Sequence, residues 1–185
     1  MPETVMLLGE ERMEKTLNSL RKDLSLIRTG RANPAILNNV TVSYYGVDTP
    51  LNQIASISVP EAQLLVIKPF DKSILKDIEK AIQLADLNLV PQNDGVVIRI
   101  NFPALTEQRR KEFAKEVKNL AESAKVAIRN IRRDMNDQLK KMEKDGEITE
   151  DQLKRSNDDV QKSVDKTIAI VDEIAKDKEK QIMEI

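Results

Sequence analysis

From Ala104 to Asp145 the chain contains neither glycine nor proline, and from Glu147 to Ile185 it again contains neither. Nothing in either stretch interrupts an α-helix, and the single Gly146 stands between them. At about 1.5 Å per residue, some 40 helical residues run about 60 Å. This half of the chain therefore predicts a rod rather than a globule.

Apolar residues recur along these stretches at alternating spacings of three and four, the seam of a helix that packs on other helices. In the second helix the seam is Phe113, Val117, Leu120, Ala124, Ala127, Ile131 and Met135, and in the third Val160, Val164, Thr167, Val171, Ile174 and Lys178. An N-terminal helix carries the same rhythm in Met13, Leu17, Leu20, Leu24 and Ile27, with Gly30 as its stop. Asp145-Gly146-Glu147-Ile148, followed by Thr149 and Gln152 in capping-box spacing, predicts a tight turn that makes the last two helices antiparallel. Three seams that satisfy one another predict a monomer.

The middle of the chain has another texture, since six of the seven prolines fall between Pro34 and Pro103 and break any long helix there. Strand alternation appears at Val40, Val42 and Tyr44 and again at Ala55, Ile57 and Val59, with apolar runs at Leu64–Ile67 and Val96–Ile100. Ile74 to Asp86 has helical spacing, and Tyr44-Tyr45-Gly46 reads as a strand end and turn. The expected class is α+β: an elongated three-helix bundle from residues 1–30 and 105–185, with a small β/α/β domain of residues 31–104 inserted into it. The chain then crosses between domains twice, near Gly30-Arg31 and near Pro103-Ala104-Leu105, and two short crossings make a hinge.

The chain has no cysteine and no histidine, which removes disulfides, thiolate metal sites, the commonest metal ligand and the usual neutral-pH general base. No phosphate loop and no dinucleotide-binding glycine turn is present, and paired carboxylates such as Asp158-Asp159 fall on a polar helix face as solvated charge. No catalysis, cofactor or metal is expected. No apolar stretch approaches the roughly 20 residues needed to cross a bilayer; a soluble, cytoplasmic protein without a membrane partner is expected.

Net charge is −1, but the average conceals a segregation. Arg109 to Lys144 carries twelve basic and six acidic residues, whereas Glu147 to Ile185 carries seven basic and eleven acidic. In the second helix Lys111, Lys118, Lys125 and Arg132 are spaced by seven, and with Lys115, Arg129, Arg133 and Lys140 they lie within roughly 60° of one direction, nearly opposite the expected seam. Such a stripe follows phosphates, and without aromatic residues for base stacking it suits the backbone and shape of folded RNA. Charged stripes opposite a seam also occur on any soluble bundle, so a coiled-coil-like adaptor or chaperone without RNA binding stands beside this reading.

Ile27-Arg28-Thr29-Gly30-Arg31-Ala32, Leu105 to Lys111 and Arg129-Asn130-Ile131-Arg132-Arg133-Asp134 resemble the signature segments of bacterial-type ribosome recycling factors. Tyr44-Tyr45-Gly46, Thr49-Pro50-Leu51, Pro69-Phe70-Asp71 and Asp158-Asp159-Val160 extend the resemblance to essentially the whole chain. It implies an L-shaped molecule whose helical arm binds the large ribosomal subunit and touches 23S ribosomal RNA, while elongation factor G with GTP drives the subunits apart after termination. Carried onto this sequence, Arg132 is the leading candidate for RNA contact, Arg129 the next, and Arg133, Arg28, Arg31 and Arg110 flank them. Gly30, Arg31, Ala104 and Leu105 become the hinge, and the small domain with Pro69-Phe70-Asp71 becomes the part that elongation factor G pushes.

Overall fold

The structure, a computed structural model, describes residues 1–184. Its residues divide into two compact units, one of residues 1–27 and 107–184 and one of Arg28–Thr106.

The first unit consists of α1 (Pro2–Ser25), α4 (Glu107–Lys144) and α5 (Glu150–Met183). The expected N-terminal seam is buried in full and continues upstream through Gly9 and Val5. Gly9 lies inside the helix because Met135 of α4 fills the space a side chain would need: a Cβ there would meet the Met135 sulfur at 2.3 Å. Between α4 and α5 the chain turns through Gly146 at φ +74, and both hydrogen bonds of the Thr149–Gln152 capping box form.

Two of the seams differ from expectation. In α4 the buried line is Val117, Ala121, Ala124, Ile128, Ile131, Met135 and Leu139, while Phe113, Leu120 and Ala127 are only partly buried. Leu120 and Ala127 instead border a groove against Lys15, Thr16, Ser19, Leu20 and Asp23 of α1. A helix with two partners has a wide apolar stripe, and here the deepest line shifts by one residue toward α5. In α5 the line runs through Val160, Val164, Thr167 and Val171 and then passes to Ala175 and Ile182, leaving Ile174 and Lys178 half-buried. Burial without a countercharge pushes the Lys178 ammonium below its ordinary titration range.

Gly30 is not the stop of α1. That helix ends at Ser25, and Leu26 and Ile27 close it by donating to the carbonyls of Asp23 and Leu24. Gly30, at φ +78, lies in the second unit, where a Cβ would approach Leu105 Cγ and the Leu105 backbone nitrogen at 3.4 Å.

In the second unit β1 (Thr41–Tyr44) and β2 (Val47–Pro50) form a hairpin whose turn residues Tyr45 and Gly46 both have positive φ. After the single turn α2 (Leu51–Ile54), the strands β3 (Ala55–Glu61), β4 (Leu64–Pro69), β5 (Pro91–Asn93) and β6 (Ile98–Asn101) make an antiparallel sheet in the order β3-β4-β6-β5. α3 (Leu75–Leu84) buries Leu75, Ile78 and Ile82 in one core with Leu65, Ile67, Ile98 and Ile100 of the sheet. The short strands β2 and β5 lack an alternating apolar pattern in the sequence. They form by pairing with β1 and β6, which do alternate.

The β5–β6 turn is held by one carboxylate. Asp94 accepts from the backbone N–H groups of Val96 and Val97 and from Arg99, which lowers its pKa to about 2.

Candidate nucleic-acid interface

A helix with 3.6 residues per turn places the eight basic residues of the stripe along one flank of α4. Against the observed core line that flank is turned by about 110°, so it borders α5 rather than lying opposite the core. The consequence is visible in the partners. Lys125, on the α5 edge of the flank, has its ammonium 2.5 Å from Asp172 and its side chain only 20% exposed. Arg132, also on that edge, directs Nη1 at Gln161 Oε1 of α5 at 3.5 Å. Arg129 pairs along its own helix with Glu122 at 3.3 Å.

Asp134, adjacent in sequence to the arginine cluster, does not neutralise it. Its carboxylate faces the other side of α4 and accepts from Arg12 of α1 at 2.9 Å. Lys111 is compensated by Glu107 at 3.1 Å. Lys115, Lys118, Arg133 and Lys140 are exposed, and none of them has an ion pair among the described residues. The flank therefore holds three kinds of cation: some matched to carboxylates, Arg132 facing a neutral amide, and others facing water.

Of the six arginines singled out in the sequence, Arg129, Arg132 and Arg133 stand together on one turn of α4. Arg110 is on the same helix but 19 residues away, about 28 Å along the axis, and turned about 100° from the stripe. Arg28 and Arg31 belong to the other unit. The Arg28 guanidinium donates to the Leu87 carbonyl at 2.6 Å and so ties down a loop in which Asp86 and Asn88 both have positive φ. Gly30, Arg31, Ala104 and Leu105, the expected hinge, also lie within that unit.

Gln161, Asp165 and Asp172, which face the cationic flank from α5, were not singled out in the sequence, since the register of α5 against α4 decides their position. Exposed aromatic surface occurs elsewhere, at Tyr45 and Phe70. Tyr44 packs edge-on against Tyr45, and its hydroxyl titrates above its usual range through partial burial and then the proximity of Tyr45 and Asp71. Among the described residues no cluster of acidic side chains is arranged to hold a metal ion, and no helix is long and apolar enough to cross a membrane.

Comparison with known proteins gives one consistent result. The family model "Ribosome recycling factor" matches residues 20–183. A ribosome-recycling factor of Bacillus licheniformis is 60% identical over 181 residues, 98% of each chain, and that of Bacillus subtilis is 56% identical over the full length of both. Among solved structures, a solution structure of the ribosome recycling factor matches with a TM-score of 0.81 at 36% identity, covering 100% of this chain and 98% of that one. A chain from models of the T. thermophilus ribosome recycling factor and the E. coli elongation factor G bound to the E. coli post-termination complex matches with a TM-score of 0.66 at 43% identity, covering both chains fully. With three long helices, a small unit of antiparallel sheet and this likeness along its whole length, the chain belongs to the ribosome recycling factor family.

Proposed function

We propose that this protein separates post-termination ribosomes into subunits, binding the large subunit through the cationic flank of α4 and acting with elongation factor G and GTP. The observation that carries this reading is the full-length match to a recycling factor described together with elongation factor G on the post-termination complex. The flank supplies a physical means of contact. Lys115, Lys118, Arg133 and Lys140 face water along more than six turns of helix and suit the phosphates of folded 23S ribosomal RNA. Arg132 and Arg129 add planar guanidinium groups for bidentate phosphate contacts, and Arg133, Arg28, Arg31 and Arg110 extend the contact set.

The energy comes from the partner. In this reading elongation factor G pushes the unit formed by Arg28–Thr106, and the two chain crossings, with Gly30, Arg31, Ala104 and Leu105 beside them, transmit the movement. The small domain and the bundle then act as separate arms, with the bundle as the anchor.

The test is light scattering of post-termination ribosomes given this protein, elongation factor G and GTP, with each component omitted in turn. Splitting that requires all three is the expected result. Intact ribosomes with all three present, and an active elongation factor G, return the chain to the class of helical adaptors.

A further inference from the structure

Four cations of the α4 flank are held by side chains, and they are held differently. Lys111, Lys125 and Arg129 face carboxylates directly, Glu107 at 3.1 Å, Asp172 at 2.5 Å and Glu122 at 3.3 Å. Arg132 faces the neutral amide of Gln161, whose Nε2 donates in turn to Asp165 Oδ1 at 2.8 Å, one turn along α5. The orientation of that amide follows from chemistry alone, because a guanidinium has no acceptor and a carboxylate has no proton to give. Oxygen must point to Arg132 and nitrogen to Asp165.

We propose that Gln161 is a positioning residue for Arg132, a neutral spacer that aims the guanidinium while keeping the Asp165 carboxylate one hydrogen bond away from it. The inference rests on the reading of the flank as a phosphate-binding surface. A direct carboxylate partner fixes a cation but also cancels it, and an incoming phosphate must then displace an anion. A neutral acceptor fixes the side chain at far lower electrostatic cost to the incoming anion. The 3.5 Å separation lies at the long end of hydrogen bonding, so the guanidinium is aimed without being locked. Asp165 acts one step back: it holds the amide in the orientation that presents oxygen to Arg132. Of the four held cations, Arg132 alone keeps a full charge on an oriented, planar donor.

The test is binding of the full chain to isolated large subunits across a potassium chloride series, for the wild type, Gln161→Glu, Gln161→Met, Arg132→Ala and the double variant Gln161→Glu/Arg132→Ala. Gln161 is exposed and Arg132 lies off the buried line of α4, so all should melt close to the wild type. Gln161→Glu turns the spacer into a direct countercharge; affinity should fall about tenfold and the slope of log K against log salt should lose about one unit, as for Arg132→Ala. Gln161→Met removes the acceptor but no charge; affinity should fall about threefold with the slope unchanged. In the Arg132→Ala background Gln161→Glu should cost less than about twofold, because its effect acts through the arginine.

An equal cost of Gln161→Glu in both backgrounds means general repulsion and overturns the proposal, as does wild-type affinity and slope in Gln161→Glu. Arg132→Ala binding like the wild type removes the residue being positioned and overturns it as well. Failure of the wild type itself to bind is a different pattern, which rejects the phosphate-binding reading of the whole flank.

Discussion

Lys125 Nζ lies 2.5 Å from Asp172 Oδ1 across the α4–α5 interface, and this pair takes one member of the cationic stripe out of the available surface. Lys125→Met keeps a mostly buried aliphatic stem and removes the charge. The expected loss of stability is about 0.5–1 kcal/mol, measured by thermal unfolding, with affinity for large subunits changed less than about twofold. Arg133→Ala should do the reverse, leaving Tm unchanged and weakening binding severalfold.

Gly9 and Met135 set a steric limit on the α1–α4 contact. Alanine at position 9 gains about 1 kcal/mol of helix propensity, but its Cβ would lie 2.3 Å from the sulfur of a methionine that is 1% exposed. Forcing a buried side chain aside costs about 1–3 kcal/mol, so Gly9→Ala should be destabilising by about 1 kcal/mol net. Met135→Ala opens a cavity beside position 9, and the double variant should be more stable than the sum of the two single effects. Strict additivity in denaturant unfolding would show that the two residues do not touch.

Asp94 gives the second unit an acid-sensitive turn. Its pKa is lowered from 3.8 to about 2 by the Val97 and Val96 N–H groups and then Arg99, so the ionised form is favoured in the folded state. The stabilisation is present above pH about 4 and is lost as pH falls toward about 2. Asp94→Asn should lower the melting temperature at neutral pH, and the gap to wild type should close through this window. A gap independent of pH would contradict the assignment.

Lys178 behaves in the opposite sense. Burial lowers its pKa from 10.5, so its charged form is disfavoured in the folded protein, and the penalty persists at every pH below the folded value. Lys178→Met should raise the melting temperature at pH 7, with the advantage shrinking as pH rises toward 10.5.

How much of this was legible in the sequence differs from helix to helix. The α1 seam follows from the spacing of Met13, Leu17, Leu20, Leu24 and Ile27, because leucine and isoleucine stand out against charged neighbours. In α4 the alternatives are both apolar: the line through Leu120 and Ala127 and the line through Ala121 and Ile128 differ by one residue. Only the position of α5 decides between them. The capping box was readable because its partners are three residues apart, and so was the β1–β2 turn. Gly30 was recognisable as a residue that needs unusual backbone, but helix α1 closes four residues earlier on its own carbonyls.

The cationic stripe itself was plain from the heptad spacing of lysine and arginine. Its division into compensated and exposed members was not, since Asp172 and Gln161 reach it from another helix and their register depends on the turn at Gly146. Arg28 shows the same limit, because its bond to the Leu87 carbonyl joins residues 59 apart in sequence.

The most direct test of the phosphate-binding flank is the salt dependence of binding to isolated large subunits by wild type and by a variant in which Lys118, Arg129, Arg132 and Arg133 are replaced by alanine. The wild type should lose affinity steeply as salt rises, with a slope of log K against log salt of about −4 or steeper, and the variant should bind weakly with a slope flatter by three to four units, roughly one per lost contact. Equal slopes for the two proteins, with both folded by circular dichroism, would contradict the assignment of this flank as the surface that meets ribosomal RNA.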